Sequence, residues 1–162
     1  MNGNLVQRTL ATHDSLSGLA LRLPVGLIFA AHGAQKLFGA FGGYGLEGTG
    51  QWMASIGLEP GYLLALAAGS AEFFGGIALL LGLLTRPAAI VLAFTMLVAI
   101  FSVHAANGLF MSNNGYEFAL ALLAASVSLA ISGAGAFSID RRLSGKATGD
   151  TAGALRGPRV SA

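Results

Sequence analysis

Long apolar segments separated by short polar stretches dominate the chain. They predict membrane spans at residues 19–38, 62–84, 87–110 and 116–139. An α-helix rises about 1.5 Å per residue, so about 20 apolar residues cross a hydrocarbon core about 30 Å thick. The pattern therefore predicts an all-α integral membrane protein built as a four-transmembrane-helix bundle.

The parts outside the bundle are predicted to be small. The four-helix transmembrane domain is assigned to residues 17–142, with an N-terminal tail at 1–16 and a C-terminal tail at 143–162. The C-terminal tail is rich in Gly, Ala and Thr, and such a composition buries too little apolar surface to fold. We expect this tail to be disordered, and the boundaries leave no room for a separate soluble domain.

One connection between the predicted spans is long. Residues 39–61 join the first two spans and contain eight glycines. Within them, residues 49–56 are predicted to form a short interfacial helix with Thr49 as its N-cap. Trp52 is then expected at the depth of the lipid headgroups, where aromatic side chains collect. A packing role for this helix is favoured over a lid above a substrate.

The composition supports a membrane protein and removes several mechanisms. The chain is 54% hydrophobic and only 10% charged, whereas about a quarter of the residues in a soluble domain are charged. It contains no cysteine. This excludes thiol–disulfide exchange, thiolate metal sites and iron–sulfur ligation.

The net charge of +2 is explained by topology and not by a nucleic-acid partner. With four spans, eight of the nine Lys and Arg residues share one side of the membrane, and Lys36 alone lies toward the other. The positive-inside rule then predicts that both termini are cytoplasmic. Arg22 is expected to extend its guanidinium to the cytoplasmic interface. A cleaved signal peptide is the competing interpretation of the first span, which the polar residues near its end disfavour.

The chain also resembles itself at an offset of 72 residues. Eight of seventeen positions are identical between residues 28–44 and 100–116, including the pair His32 and His104. A genuine duplication would give two helical hairpins repeated in parallel, related by an axis along the membrane normal. Chance similarity in a sequence of biased composition is the alternative.

Polar side chains inside the predicted spans form the candidate site. An ionisable group in lipid is costly and usually faces the interior of a helix bundle. Spacings of three and four residues place neighbouring members on one helix face, and we expect all seven to converge in the outer half of the bundle. The candidate ligand-binding residues are His32, Gln35, Lys36, Glu72, His104, Asn107 and Glu117.

Several chemistries are open to such a cluster. Two imidazoles at equal depth could ligate a haem, but no other feature supports haem, and zinc needs three or four ligands. A quinone held by His32 or His104 together with Gln35 fits better, and histidine can also carry the accompanying proton. Glu72 could equally pair with Lys36 or a histidine merely to fix the helices. The catalytic residues stay unknown, and no metal site is predicted.

These residues also carry a resemblance to a known family. The matching stretches are HGAQKLFG at 32–39, GLEGT at 45–49, EFFGG at 72–76, residues 96–104, NG at 107–108 and GYE at 115–117. In this order they resemble the DoxX family of small bacterial inner-membrane proteins, over residues 21–142. The resemblance implies a four-span bundle in the inner membrane and links to redox metabolism. Similar proteins include the membrane subunit of a thiosulfate:quinone oxidoreductase and a mycobacterial member grouped with superoxide dismutase and a sulfurtransferase.

Three functions follow as hypotheses. The first is a quinone-linked, oxidoreductase-associated subunit that works with partner proteins, since the chain has no self-contained catalytic motif. The second is a non-enzymatic scaffold or assembly subunit, in which the polar cluster only fixes the register of the helices. The third is a small proton-coupled transporter, which would need a homo-oligomer because four helices rarely enclose a pathway. Lipid and protein are the expected partners, and nucleic acid is not.

Overall fold

The computed structural model describes residues 16–144, and the predicted all-helical class is confirmed. No strand occurs in this range. The main helices are α1 (Leu16–Phe38), α2 (Gly45–Ser55), α3 (Gly61–Leu81), α4 (Thr85–Ala99) and α5 (Glu117–Ser132), and residues 139–144 are also helical. A π turn, Ile100–His104, and a 3-10 turn, Ala105–Asn107, continue α4, and short 3-10 turns lie at Ala40–Gly42 and Met111–Asn113.

Three helices are long and apolar enough to cross a bilayer. They are Leu16–Phe38, Gly61–Leu81 and Thr85–Asn107, while α5, with 16 residues, is shorter. The four-span count and the hairpin repeat therefore stay predictions. Apart from residues 16, 143 and 144, the two predicted tails lie outside the described residues.

The long helices form a bundle in which α1 packs along α3 and α4 packs along α5. The two pairs meet where α3 contacts α4 and where α1 contacts α5. We call the two ends of the bundle the α2 end, which also carries the loop at 108–116, and the Arg22 end, which carries the turn between α3 and α4.

Glycine allows the close contact between α1 and α3. A Cβ atom on Gly33 would overlap the backbone of Phe73, and one on Gly76 would overlap the backbone of Ala30. Small residues permit such backbone contact between apolar helices. Gly75, the neighbour of Gly76, faces α4 and not α1, since a Cβ there would lie 3.0 Å from Leu92 Cγ of α4.

Arg22 lies inside the Arg22 end and does not extend to the interface as predicted. Its side chain is 1% exposed. The five guanidinium hydrogen bonds, 2.6 to 3.4 Å long, go to the carbonyl oxygens of Leu79, Leu80, Ala134, Ala136 and Phe137. The last turn of a helix leaves carbonyl groups without intrahelical partners, so the end of α3 offers acceptors that hold the side chain inside.

The segment at 133–137 explains why α5 ends at Ser132 and not at the predicted residue 139. Gly133 and Gly135 have φ angles of 82° and 72°, values that glycine adopts at little cost. The chain therefore leaves the helix and turns three of its carbonyl groups toward Arg22. Just beyond, buried Asp140 accepts hydrogen bonds from the backbone N–H groups of Leu84, at 2.7 Å, and Thr85, at 2.9 Å. This segment thereby joins α5 to the start of α4.

Candidate ligand-binding cavity

A cavity of about 690 Å³ lies between the helices at the α2 end. Its walls are mainly apolar side chains of α1, α3, α4 and α5, and residues of α2 and of the loop at 108–116 also line it. Four of the seven predicted site residues are among the lining residues: His32, Lys36, Glu72 and His104. The cavity thus combines apolar walls with a few polar groups, as small-molecule sites usually do.

Lys36 and Glu72 form an ion pair across the contact between α1 and α3. Lys36 Nζ lies 2.5 Å from Glu72 Oε2, and their side chains are 26% and 6% exposed. Gly69, one turn before Glu72, makes room for the end of α1, since a Cβ there would lie 2.8 Å from Leu37 Cδ2 and 3.2 Å from Lys36 Cβ. The small-residue face of α3 therefore positions the pair at the cavity wall.

His32 lies one helical turn before Lys36 and faces α5. Its ring centroid is 6.1 Å from that of Phe118, with the planes tilted by 51°. Neither ring nitrogen hydrogen-bonds to another group in the described part of the chain. His32 therefore has hydrogen-bonding capacity available to a molecule in the cavity.

His104 lies in the π turn that continues α4. Its Nδ1 is 2.8 Å from the carbonyl oxygen of Asn114. A carbonyl oxygen only accepts hydrogen bonds, so Nδ1 is the donor, and in the neutral ring Nε2 is then an acceptor. π turns within α-helices are frequent at functional sites. Here the turn and the loop together fix the imidazole at the cavity wall.

The other three predicted residues stabilise loops and do not line the cavity. Gln35 Nε2 donates to the carbonyl oxygen of Phe41 at 3.4 Å. Asn107 Nδ2 donates to a carbonyl oxygen of the preceding turn at 3.1 Å. Glu117 Oε1 accepts a hydrogen bond from the backbone N–H of Met111 at 2.6 Å. Of the seven side chains expected to converge, four line the cavity, and the other three hydrogen-bond to the backbone around it.

Sequence reasoning missed the contribution of α2. Helix α2 begins at Gly45, and Thr49 is therefore not its N-cap: the Thr49 hydroxyl lies 3.5 Å from the carbonyl oxygen of Lys36 at the end of α1. Trp52 and Met53 line the cavity. The buried positions Thr49 and Met53 are four residues apart, a helical spacing that could have identified this face.

The described residues contain no group of three or more His, Asp or Glu side chains arranged to hold a metal ion. The available donors and acceptors instead suit a neutral polar molecule. Lys36 and a neutral or charged His32 can donate hydrogen bonds, while Glu72 and His104 Nε2 can accept them. The cavity can therefore bind both a carbonyl group and a hydroxyl group.

Comparison with known proteins identifies the family. The DoxX family model matches residues 18–105. The Escherichia coli (strain K12) protein "Inner membrane protein YqjF" is 38% identical over 139 residues, covering 82% of this chain and 96% of the relative. The Bacillus subtilis (strain 168) protein "Putative oxidoreductase CatD" is 35% identical over 122 residues, covering 75% of this chain and 83% of the relative.

A second Escherichia coli (strain K12) relative, "Inner membrane protein YphA", is 35% identical over 129 residues, covering 76% of this chain and 88% of that protein. No solved structure matches the chain. The resemblance in the sequence motifs is confirmed by the family match, and the chain belongs to the DoxX family.

Proposed function

We propose that the protein is a quinone-binding subunit of the bacterial inner membrane that acts with a redox partner protein. The observation that carries the proposal is the cavity, with its apolar walls, its ion pair and its two imidazoles. Its volume, about 690 Å³, falls in the range of about 300 to 1,000 Å³ typical of small-molecule sites.

The polar groups suit both redox forms of a quinone. The quinone has carbonyl oxygens that need donors, and Lys36 and His32 supply them. The hydroquinone has hydroxyl groups that need acceptors, and Glu72 and His104 supply those. Reduction adds a proton at each carbonyl oxygen, and the two imidazoles are suited to pass these protons. The name of the Bacillus subtilis relative also supports a redox role.

We place the electron source in a partner protein. The chain has no cysteine and hence no thiol couple of its own. A partner would reduce or oxidise the bound quinone, and this chain would hold it in the membrane. A scaffold subunit with an empty cavity is the rival function.

We also propose that α1, α3, α4 and the shorter α5 all cross the inner membrane, with both termini in the cytoplasm. At about 1.5 Å per residue, the 16 residues of α5 extend about 24 Å, which a small local adjustment of the bilayer accommodates. Arg22, Arg86, Arg141 and Arg142 belong to the Arg22 end, and Lys36 to the α2 end. The positive-inside rule then assigns the Arg22 end to the cytoplasm.

Trp52 provides a direct test, because it is the only tryptophan of the chain and lines the cavity. Menadione, a naphthoquinone without a long chain, should quench its fluorescence in the purified protein with a saturable dependence on concentration. We expect His32→Ala and Glu72→Gln to weaken binding by about tenfold, since the first removes a polar contact to the ring and the second replaces a charged acceptor, paired with Lys36, by a neutral amide.

Gln35→Ala is the matched control, because Gln35 lies beside the cluster but does not line the cavity. It should bind menadione as the wild type does. Far-UV circular dichroism shows whether each variant is folded. A wild-type protein that menadione does not quench saturably, while it still copurifies with partner proteins, contradicts quinone binding and favours the scaffold.

A further inference from the structure

The cavity is partly open, and several of the residues that line it on α3 and α4 are exposed. Their side chains mark a candidate exit for a ligand between these two helices, which we call the opening. On α3 they include Leu64, 38% exposed, and Ala67; on α4 they are Val91, Phe94 and Val98, 47%, 65% and 43% exposed. All are apolar, so the rim of the opening resembles a lipid-facing helix surface.

The depth of this rim places it away from the headgroups. Phe94 is nine residues from the first residue of α4, which corresponds to about 14 Å along the helix. The helical segment Thr85–Asn107 has 23 residues, so Phe94 lies near its middle. In a bilayer, the opening would therefore face the hydrocarbon chains of the lipids.

Helices α3 and α4 are in contact, and α3 presents small side chains along the cavity. Gly75 of α3 lies against Leu92 of α4. Toward the α2 end, three of the five α3 residues along the cavity are the alanines Ala67, Ala68 and Ala71. Their short side chains leave free volume where longer ones would close the gap.

The opposite side of the cavity holds polar groups, and the side chains of His32 and Phe118 there are also exposed. His32 contacts Phe118 across the junction of α1 and α5. Lys36 and Glu72 form their ion pair across the junction of α1 and α3. The cavity therefore runs from a polar side near α1 to an apolar opening between α3 and α4.

We infer that the ligand is an amphiphile, with a polar ring at the Lys36–Glu72 pair and a hydrocarbon chain that leaves through the opening between α3 and α4. The inference rests on the proposed function and specifies its substrate class: a quinone with a long isoprenoid chain, taken from the lipid phase. A molecule of this shape matches both the polar side and the apolar side of the cavity. Neither the ring nor the chain has to cross the aqueous surface.

A photoreactive quinone tests this path. The probe is a naphthoquinone whose alkyl chain ends in a diazirine, irradiated with the purified protein and mapped by mass spectrometry. We expect labels on Leu64 and on residues 91–98, and we expect an excess of menadione, which competes for the ring site only, to remove most of them.

Two variants distinguish labelling by a probe that enters through the opening from nonspecific labelling by a probe dissolved in the detergent micelle. Ala67→Phe puts a ring at the rim and should lower the menadione-sensitive labelling about tenfold. Leu66→Phe is the control, because Leu66 is exposed on the same helix but does not line the cavity. Its labelling should match the wild type. Circular dichroism verifies that both variants are folded.

Other outcomes overturn the inference in distinguishable ways. Menadione-sensitive labels on α1 or α5, or equal labelling of Ala67→Phe and Leu66→Phe, show that the chain does not leave between α3 and α4, while the quenching of Trp52 still supports quinone binding. Labelling that menadione never displaces, together with unquenched Trp52, overturns the proposed function and this path with it.

Discussion

The two ends of the bundle each bury an ionisable side chain, and they use it differently. As whole residues, Arg22 is 1% exposed and Glu72 is 4% exposed. Arg22 lies among five carbonyl groups and near Asp140, whereas Glu72 lies at the wall of a cavity with one lysine as its partner. Burial of a charge within a membrane segment is thus not by itself a sign of a ligand site.

The two side chains differ in how many of their possible hydrogen bonds are formed within the protein. A guanidinium has five N–H donors, and Arg22 makes five hydrogen bonds to carbonyl oxygens. A carboxylate can accept about four hydrogen bonds, and Glu72 has a single donor, Lys36, among the side chains of the described range. The unused acceptor sites of Glu72 are what a ligand can occupy.

The largest effect is expected from Arg22→Met. Methionine fills a similar volume but leaves five carbonyl groups without their donor, and unmade hydrogen bonds to a buried charged group cost about 3 kcal/mol in stability. We would measure the free energy of unfolding in mixed detergent micelles by circular dichroism. Arg142→Met, at an exposed arginine of the same end, should change it by less than about 0.5 kcal/mol. Equal losses in both variants would contradict the structural role of Arg22.

Replacing an alanine by leucine should lower the stability in the packed core near the Arg22 end but not at the cavity. Ala89 is 0% exposed in the packed core near the Arg22 end, and Ala89→Leu should destabilise by about 2 kcal/mol through overpacking. Ala71 lines the cavity, so Ala71→Leu has space and should change stability by less than about 0.5 kcal/mol. It should nevertheless weaken the quenching of Trp52 by menadione. Similar destabilisation by both variants would show that the cavity is not free volume.

Variants of the Lys36–Glu72 ion pair should have a smaller effect on stability, and they distinguish its contribution to stability from its contribution to menadione binding. Glu72→Leu leaves the Lys36 ammonium without its partner, but this side chain is 26% exposed, so we expect a loss of about 1.5 kcal/mol, less than for a fully buried pair. The double variant Lys36→Met/Glu72→Leu should recover stability to within about 0.5 kcal/mol, because apolar side chains can replace an ion pair. Menadione binding should stay weak in both. Recovery of binding in the double variant would contradict a polar contact to the ligand.

Much of the fold follows from local patterns, and the cavity follows only in part. The long apolar helices are visible in the hydropathy, and the match of Lys36 with Glu72 was one of the pairings that the sequence left open. The role of Arg22 was not visible, because its acceptors are backbone groups that become available only when Gly133 and Gly135 turn the chain. Carbonyl groups carry no signature in a sequence.

The separation of the site residues into two groups was also beyond the sequence. Gln35 and Lys36 are adjacent, yet one bonds to a loop and the other lines the cavity. Which of them faces the interior depends on how α1 lies against α3, and the contact at Gly33 determines that rotation. The free volume depends likewise on the contact between Gly75 and Leu92, which periodicity alone does not reveal.

The hydrogen bonds of Arg22 also bear on the order in which the protein is made. Three of them join Arg22 to residues that lie 112 to 115 positions later in the chain. When α1 leaves the ribosome, the segment at 133–137 has not yet been synthesised. Until then, some of the N–H donors of Arg22 must bind water, lipid headgroups or the insertion machinery. Biosynthesis therefore reaches the closed bundle only after the last helix has emerged, and every earlier intermediate carries an incompletely hydrogen-bonded guanidinium in its first helix.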